Sequence, residues 1–309
     1  MTTSTGGDCG GFFGLSTDAF MQFFSWFLRI IGLCALLLLA SCSAVRLGYN
    51  QLPDLAYWWL DSYIDTSDAQ TPRLRREIEA LHQWHRTGEL PEYVRLLQKM
   101  QRLAPGPVTP EQTCALFDEL RERFDVLSAR VEAPAVWLAQ SMTPAQIQHL
   151  ALKFGKTNAE WQDKWQRGTA SERLQRRLKQ TVERYEMVYG PLDPAQIQLL
   201  RAGLTRAGEP ASVWWAERQR RQQDILQTLR QSSAAGMSPE AARAALHALR
   251  GRLTTAPDPA VQAANDAALR ENCAVFARLH NATAPAQRAR AVETLKSYEA
   301  DFRMLAASR

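Results

Sequence analysis

The sequence predicts an all-α protein, an irregular bundle of roughly ten helices that follows an N-terminal leader. Apolar residues recur every three or four positions over most of the chain, whereas no segment alternates with the period of two that a half-buried strand requires. Leu, Ala, Gln and Arg, which favour helices, outnumber Val and Ile. A chain of 309 residues is also long enough to enclose a sizeable core.

The leader is the first element. Ile30–Ala40 contains no charged residue, and its length suits the apolar core of a secretory signal peptide but falls short of the ~20 residues that cross a bilayer as a helix. Residues 1–20 carry Asp8 and Asp18 but no Lys or Arg, which is the wrong charge for the start of such a signal. We therefore expect residues 1–20 to result from a mis-assigned start, with Met21 as the true one.

The quartet Leu39-Ala40-Ser41-Cys42 resembles the lipobox of bacterial lipoprotein precursors. In that pattern small residues admit the signal peptidase, and the cysteine thiol carries a diacylglyceryl group while the new N-terminus is acylated, for example by palmitate. Two or three acyl chains make a lasting anchor, because one chain alone binds reversibly. The resemblance implies that residues 1–41 form a cleaved signal peptide. It also implies a lipid on Cys42 and, because Ser43 rather than Asp follows, the periplasmic face of a Gram-negative outer membrane. An uncleaved single-span anchor and a chance match are the alternatives.

The composition limits the classes of ligand. Removal of residues 1–41, which carry two Asp and one Arg, raises the net charge from +5 to +6. Arg outnumbers Lys 31 to 6, and the forked contacts of Arg with phosphates and carboxylates keep lipid headgroups and anionic polymers open as ligands. Solvated helix faces are the simpler interpretation of the Arg-rich segments, including RQRRQ at 218–222. For an exported chain with this mild charge we expect no nucleic-acid partner.

Cys114 and Cys273 remain once the leader and Cys42 are set aside. In an oxidising compartment the two can form a disulfide. Each also falls at an apolar helical position, where a small buried residue would be equally suitable. The spacing of Cys and His residues does not indicate a metal site, and we expect no cofactor.

Four helix starts share a capping signature, in which a Thr, Asp or Ser cap precedes a proline. The four caps are Thr109, Thr143, Asp193 and Ser238. The cap oxygen accepts an orphan backbone N–H and proline has none to leave unpaired, while in the first three starts a Gln three residues on reaches back to the cap. An earlier start is predicted at Ser67 or Thr71. The prolines lie 34, 50 and 45 residues apart, too unevenly for a solenoid.

Glycine and proline mark the predicted helix ends. These ends lie at Gly88, 104–107, Gly168, Gly190, Gly208 and Pro257. From about residue 232 the chain becomes rich in Ala and contains no Trp. We therefore predict a main helical domain over 42–232 and a C-terminal helical lobe over 233–309 that packs on it.

An aromatic helix, LAYWWLDSYI at 55–64, is predicted a short distance after Cys42. It is apolar nearly all round, so it is either buried in the bundle or laid on the membrane, where Trp and Tyr favour the interface. Trp58, Trp59 and Tyr63 are the candidate membrane-proximal residues.

The segment EIEALHQWHR contains the candidate polar site. Glu79 and His82 form a Glu-x-x-His pair, which is one half of a di-iron carboxylate pattern, but no other His has a Glu three residues before it. We therefore predict no metal site. His85, Glu89 and Tyr93 remain the least implausible cluster for an enzyme. The chain contains no nucleophile elbow, zinc-protease or P-loop motif, so we predict no catalytic residue.

One further motif suggests a steric chaperone. RERFDVLSA at 121–129 resembles the Arg-x-x-Phe-Asp-Tyr-x-Leu-Ser-Ala motif of periplasmic lipase foldases. Here Tyr is absent and one residue is missing between Asp125 and Leu127, which rotates the following residues by about 100° around a helix. A foldase-like role therefore stays an alternative.

Several segments, in order, resemble a family of proteobacterial lipoproteins catalogued as a domain of unknown function, number 6279. They are CSAVRLGYNQL, WWLDSYID, HQWHRTGELPEY, the Thr-Pro-Glu-Gln cap, NAEW and WWAERQRRQ. The resemblance covers Cys42 to about residue 230 and implies a helical, lipid-anchored periplasmic protein without an assigned activity.

From these observations we predict a non-enzymatic lipoprotein of the cell envelope, held to the membrane by its N-terminal lipid. It would act as a scaffold or adaptor for a protein, lipid or peptidoglycan partner. An envelope enzyme with a site at His85, Glu89 and Tyr93 is the alternative. A deep polar pocket around that cluster would favour the enzyme, and an exposed apolar groove would favour the binder.

Overall fold

The computed structural model describes residues 41–208 and 211–308. All regular elements in these residues are helical, which confirms the all-α prediction. In chain order they are α1 Ser41–Asn50, α2 Leu52–Ile64, α3 Thr71–Trp84, a π-helical turn His85–Glu89, α4 Leu90–Leu103, α5 Pro110–Ser141, α6 Pro144–Trp165, α7 Ala170–Tyr189, α8 Pro194–Arg206, α9 Ala211–Ser232, α10 Pro239–Thr254, α11 Pro259–Asn281 and α12 Pro285–Ala307.

The leader lies outside the described residues, together with Leu39 and Ala40 of the predicted lipobox. The chain divides into two compact units between Tyr49 and Asn50, and the second unit contains α2 to α12. The predicted domain boundary near residue 232 stays a prediction. Among the described residues, no helix combines the length and the apolar character needed to cross a bilayer.

The four predicted caps begin helices in the structure. Thr109, Thr143 and Asp193 each accept the backbone N–H of the Gln three residues on, and that Gln side chain accepts the cap N–H in return. Ser238 accepts the backbone N–H of Ala241 and so caps α10. Local cap chemistry therefore determines where α5, α6, α8 and α10 start.

The starts of α3 and α7 differ from these four. Helix α3 begins at Thr71 rather than near Ser67, whose backbone N–H donates to the Gln70 side chain at 3.0 Å. The start of α7 was not predicted, because it lacks the proline of the other starts. There Thr169 and Glu172 form a capping box of the same kind.

The predicted helix end at Gly88 is wrong. Gly88 lies inside the π-helical turn, which carries the chain from α3 directly into α4. A π-helical turn accommodates extra residues without breaking the helix, and glycine within a helix is tolerated at a modest cost. The side chains of this turn consequently point in directions that a regular α-helix would not give.

Among the described residues, two groups of buried side chains cluster within the core. The larger group lies among α7, α8, α11 and α12 and comprises Leu178, Tyr189, Leu192, Leu200, Leu279 and Ala291. The smaller group, Ile64, Met142 and Ile147, lies where α2, α5 and α6 meet. Helix α5 contacts α9, α10 and α11 along its length, and α12 packs along α4 and α7.

The aromatic helix is α2, and its tryptophans face outward. Trp58 and Trp59 are each 60% exposed, whereas Ile64 at the end of the helix is buried. The alternative that α2 is buried in the bundle is therefore wrong for the face that carries Trp58 and Trp59. The inward face of α2 instead includes Leu60, which packs against the smaller core group, and Ile64, which belongs to it.

A disulfide joins Cys114 of α5 to Cys273 of α11, with the two Cα atoms 5.4 Å apart. Cys273 is completely buried and Cys114 is half-buried. The bridge ties together residues separated by 159 positions in the sequence. Of the two alternatives that the sequence left open, the structure therefore contains the pair.

Candidate binding groove

An open groove of about 900 Å³ lies among α2, α5, α6 and α9. We call it the aromatic groove. Its apolar lining includes Tyr63, Ile64, Leu138, Leu150, Phe154 and Trp161. Sites for small molecules typically enclose roughly 300–1,000 Å³ and have mostly apolar walls with a few polar groups. The aromatic groove meets both criteria.

Aromatic side chains form one wall of the groove and part of its rim. The ring centroids of Trp59 and Tyr63 are 4.9 Å apart, and those of Tyr63 and Phe154 are 6.3 Å apart. Trp161 stacks on Trp215 at 5.5 Å, which holds its ring in place. Exposed apolar surface of this kind marks an interaction site more often than scattered surface residues do.

The opposite edge of the groove is polar and comes from α9. Glu217 accepts hydrogen bonds from Arg220 and Arg221, each at 2.7 Å. The Arg220 hydrogen bond is the main cause that lowers the pKa of Glu217 to about 2, so its carboxylate stays charged at neutral pH. Arg221 and Glu217 therefore neutralise each other at this edge.

Arg218 lies on the same edge but has different partners. Its Nε donates to the Asn158 Oδ1 at 2.7 Å, and its Nη2 donates to the Thr157 Oγ1 at 3.2 Å. Both partners are neutral, and in the described part of the chain Arg218 forms no ion pair with a carboxylate. Gln222 completes the arrangement with two amide hydrogen bonds to Asn158. The guanidinium of Arg218 is thus held in a fixed place with its charge uncompensated.

These residues correct one interpretation of the sequence. RQRRQ at 218–222 is not simply a solvated face, since Arg218, Arg221 and Gln222 are half-buried and line the groove. The segments NAEW and WWAERQRRQ are brought together, because α6 packs against α9. Helical spacing places residues on one face of each helix but does not indicate which other helix that face meets, so the sequence alone did not indicate this pairing.

A second cavity of about 820 Å³ adjoins the aromatic groove. Trp161 and Trp214 line both spaces, and Trp214 is 47% exposed. Arg177 lies over the ring of Trp214, with 5.8 Å between the guanidinium carbon and the ring centroid. Trp161 and Trp214 therefore separate the aromatic groove from the second cavity, and Arg177 lies on the side of the second cavity.

The structure also brings together His85, Glu89 and Tyr93, which we call the polar cluster. The rings of His85 and Tyr93 are 5.7 Å apart, and Glu89 is only 4% exposed. Burial lowers the pKa of His85, and nearby His82 lowers it further. Burial also raises the pKa of Tyr93, an effect to which Glu89 adds. The π-helical turn is the element that turns His85 and Glu89 inward.

The polar cluster lies apart from both spaces described above. None of His85, Glu89 and Tyr93 lines the aromatic groove or the second cavity. Glu89 lies 3.9 Å from Arg123 of α5, and Tyr93 packs on Phe302 of α12. These contacts link the polar cluster to α5 and α12.

Metal chemistry receives no support from the described residues. Among them, no group of three or more His, Cys, Asp or Glu side chains is arranged to hold a metal ion. Glu79, the first residue of the Glu-x-x-His pair, is exposed and accepts a hydrogen bond from Gln83 at 2.7 Å.

Residues 62–245 match the Family of unknown function (DUF6279). The chain belongs to this family. No curated protein and no solved structure matches the chain. The matched region includes α5, α6 and α9, so it contains most of the aromatic groove together with Arg218 and the polar cluster. Cys42 and Cys273 lie outside it.

Proposed function

We propose that this protein is an exported lipoprotein of the Gram-negative cell envelope that acts by binding and not by catalysis. In this proposal residues 1–41 are a cleaved signal peptide, and a lipid on Cys42 anchors the chain to the periplasmic face of the outer membrane. The helical body then serves as a scaffold or adaptor for an envelope partner. The observation that carries the binding role is the aromatic groove.

Three features support the envelope location. The lipobox at Leu39–Cys42 supplies an anchoring cysteine, and the disulfide between Cys114 and Cys273 is of a kind that persists in oxidising compartments such as the periplasm. The exposed Trp58, only a short stretch of chain from Cys42, is suited to the membrane interface.

The groove supports binding over catalysis. Its walls are mostly apolar and its aromatic rim is exposed, as expected of a surface that receives a partner. The enzyme alternative receives less support. The polar cluster of His85, Glu89 and Tyr93 has shifted pKa values in two of its members, but neither of the large cavities reaches it.

Metabolic labelling with a palmitate analogue tests the anchor. We expect the wild-type protein to incorporate the label and to fractionate with the outer membrane. Cys42→Ala should abolish incorporation, whereas Cys34→Ala, a cysteine of the same leader segment, should retain it. Equal labelling of the Cys42→Ala variant would refute lipidation at this site.

Crosslinking in intact envelopes followed by pull-down tests the binding role. Trp214→Glu places a charge on the rim of the groove and should remove the specifically crosslinked partner. Met187→Glu is the matched control, because Met187 is an exposed apolar residue of α7 that does not line the groove. The proposal fails if both variants recover the same partners as the wild type.

A further inference from the structure

The floor of the aromatic groove is buried and consists of apolar side chains. Ile64, Met142 and Leu150 line it and are each less than 9% exposed, and Ala139 beside them is 1% exposed. The volume of about 900 Å³ lies near the upper end of the range for small-molecule sites. Flexible hydrocarbon fits such a floor, because no polar group of the floor would lose its hydrogen bonds on contact.

Most of the polar residues that line the groove, by contrast, lie at the edge formed by α9. That edge carries more positive than negative charge. Among the charged side chains that line the groove there, Glu217 pairs with Arg221. Arg218 adds a further cation that its neutral partners Thr157 and Asn158 do not offset. The lining of this edge therefore has an excess of one positive charge.

Arg218 is placed to receive an anion. Two of its nitrogens are occupied by Asn158 and Thr157, which fix the plane of the guanidinium. The Nη1 atom makes no hydrogen bond to another described residue. A guanidinium binds carboxylate and phosphate oxygens through charge-assisted hydrogen bonds, which are roughly twice as strong as neutral ones.

We infer that the aromatic groove binds an anionic lipid, with its acyl chain on the apolar floor and its headgroup at Arg218. The inference rests on the proposed function, because it names the ligand class for the same groove. One apolar floor with one cationic edge matches a molecule with one tail and one charged head. An amphipathic helix of a partner protein would bury its apolar face on the same floor without requiring an anion at Arg218, and the probes below separate the two ligands by that requirement.

Brominated lipids provide the test, because bromine quenches tryptophan fluorescence on contact and the groove contains Trp59, Trp161 and Trp214. The lipidated full-length protein is purified in a neutral maltoside detergent. It is then titrated with a brominated fatty acid and with the brominated fatty alcohol of the same chain length. We expect saturable quenching by the acid at a concentration about tenfold lower than by the alcohol, since the contact with Arg218 requires a charge.

Variants of α9 give the second arm of the test. Arg218→Gln should weaken binding of the acid about tenfold and leave binding of the alcohol unchanged, whereas Arg218→Lys should retain part of the preference. Arg230→Gln, an exposed arginine of the same helix that does not line the groove, should bind both probes as the wild type does. Circular dichroism checks that each variant remains folded.

The outcomes separate this inference from the proposed function. Absence of saturable quenching, equal affinity for acid and alcohol, or an Arg218→Gln variant with unchanged preference would each overturn lipid binding. Pull-down of a specific protein through the same groove alongside any of these results would leave the adaptor role intact and assign the groove to a protein segment.

Discussion

At the scale of single residues, glutamines at the helix starts have a role beyond capping. The Gln146 side chain closes the capping box of α6, and its Nε2 also donates to the Asp65 carbonyl at 2.8 Å and to the Gln70 Oε1 at 2.7 Å. Gln70 in turn donates to the Ser141 carbonyl at 2.8 Å. Glutamate could close a capping box but could not make these further donations.

A second pair of glutamines, Gln196 and Gln287, makes the same kind of contact. The Nε2 of Gln196 donates to the Ala282 carbonyl at 3.0 Å and to the Gln287 Oε1 at 2.8 Å, and Gln287 donates to the Pro191 carbonyl at 2.8 Å. Gln196 is only 2% exposed. Each pair of amides thus joins two helix starts that are distant in the sequence.

Substitution of a buried amide separates these two roles. Gln196→Glu keeps the cap acceptor but buries a carboxylate against carbonyl oxygens. We expect it to lower the free energy of unfolding by about 1–3 kcal/mol. Gln112→Glu is the control, because Gln112 is exposed and closes a capping box at the surface, so its effect should stay within about 0.5 kcal/mol. Urea denaturation measures both, and equal effects would contradict the bridging role.

The fold also determines the protonation state of His280. Its Nε2 faces the Gly106 carbonyl at 2.8 Å and must donate to it, so its Nδ1 accepts the hydrogen bond of the Tyr189 hydroxyl at 2.8 Å. His280 is 2% exposed, and this burial lowers its pKa below the ordinary value of 6.5. The folded protein therefore holds the imidazole in the neutral form.

This lowered pKa predicts sensitivity to acid. Below pH 6.5 the unfolded chain takes up a proton at His280 that the folded chain does not, so the free energy of unfolding falls as the pH is lowered from 6.5. His280→Gln should be less stable at neutral pH and should lose part of this dependence. Denaturant titrations between pH 7.5 and 5.5 measure it. An identical pH dependence in both proteins would exclude His280 as a cause.

At the scale of elements, the starts of helices were largely predictable and the site was not. Caps such as Thr109 and Asp193 act on backbone groups within three residues, so the sequence carries the whole signal. The start at Thr169 obeys the same rule without a proline, and a search for Thr-x-x-Glu would have found it. The π-helical turn depends on which side chains the fold buries, and local sequence does not contain that information.

The aromatic groove shows why the helices were predictable from the sequence and the site was not. Its walls come mainly from α2, α5, α6 and α9, with single residues from α10 and α11, and Arg218 meets Thr157 and Asn158 across 60 residues of chain or more. A helical pattern in α9 alone cannot distinguish an arginine that faces solvent from one that faces a neighbouring helix. The sequence could therefore predict the helices of the groove but not the groove itself.

Helix packing gives a prediction at this scale. Gly203 of α8 lies against Val275 of α11, and a Cβ atom at this position would come within 2.6 Å of the valine Cγ2. Gly203→Ala should lower the free energy of unfolding by about 1–3 kcal/mol, because the two helices would have to separate. Gly155 of α6 is the control. A Cβ atom there meets no atom within 4 Å, so Gly155→Ala should raise stability by up to about 1 kcal/mol. Chemical denaturation measures the free energy of unfolding of both variants. An unchanged value for Gly203→Ala would show that the contact with Val275 does not limit how closely the two helices pack.

At the scale of the whole molecule, contacts between distant parts of the chain hold the second compact unit together. The Cys114–Cys273 disulfide joins α5 to α11. Asn281 exchanges two hydrogen bonds of 2.9 Å with the backbone of Val108. Arg86 in the π-helical turn donates to the Ser308 Oγ at 2.7 Å. Residues beyond 232 thus contribute directly to the packing of α4 and α5.

The disulfide closes a long loop, so its removal should be costly. In the chain-entropy description a bridge across about 160 residues restricts the unfolded chain, and we expect Cys114→Ala/Cys273→Ala to lower the free energy of unfolding by about 2–4 kcal/mol. Reduction of the wild-type protein should have a similar effect, and the same reductant should leave the double variant unchanged. Denaturation with and without reductant measures this. A wild-type protein that is insensitive to reduction would contradict a stabilising role.

The central claim is that this protein binds an envelope partner through the aromatic groove. Site-specific photo-crosslinking in living cells tests it most directly, with the photoreactive residue placed at Trp59 on the groove or at Met187 away from it. The two side chains are 60% and 64% exposed, so accessibility alone does not distinguish them. We predict discrete crosslinked lipid or protein products from position 59 and none from position 187. The same products from both positions, or none from position 59, would contradict the claim.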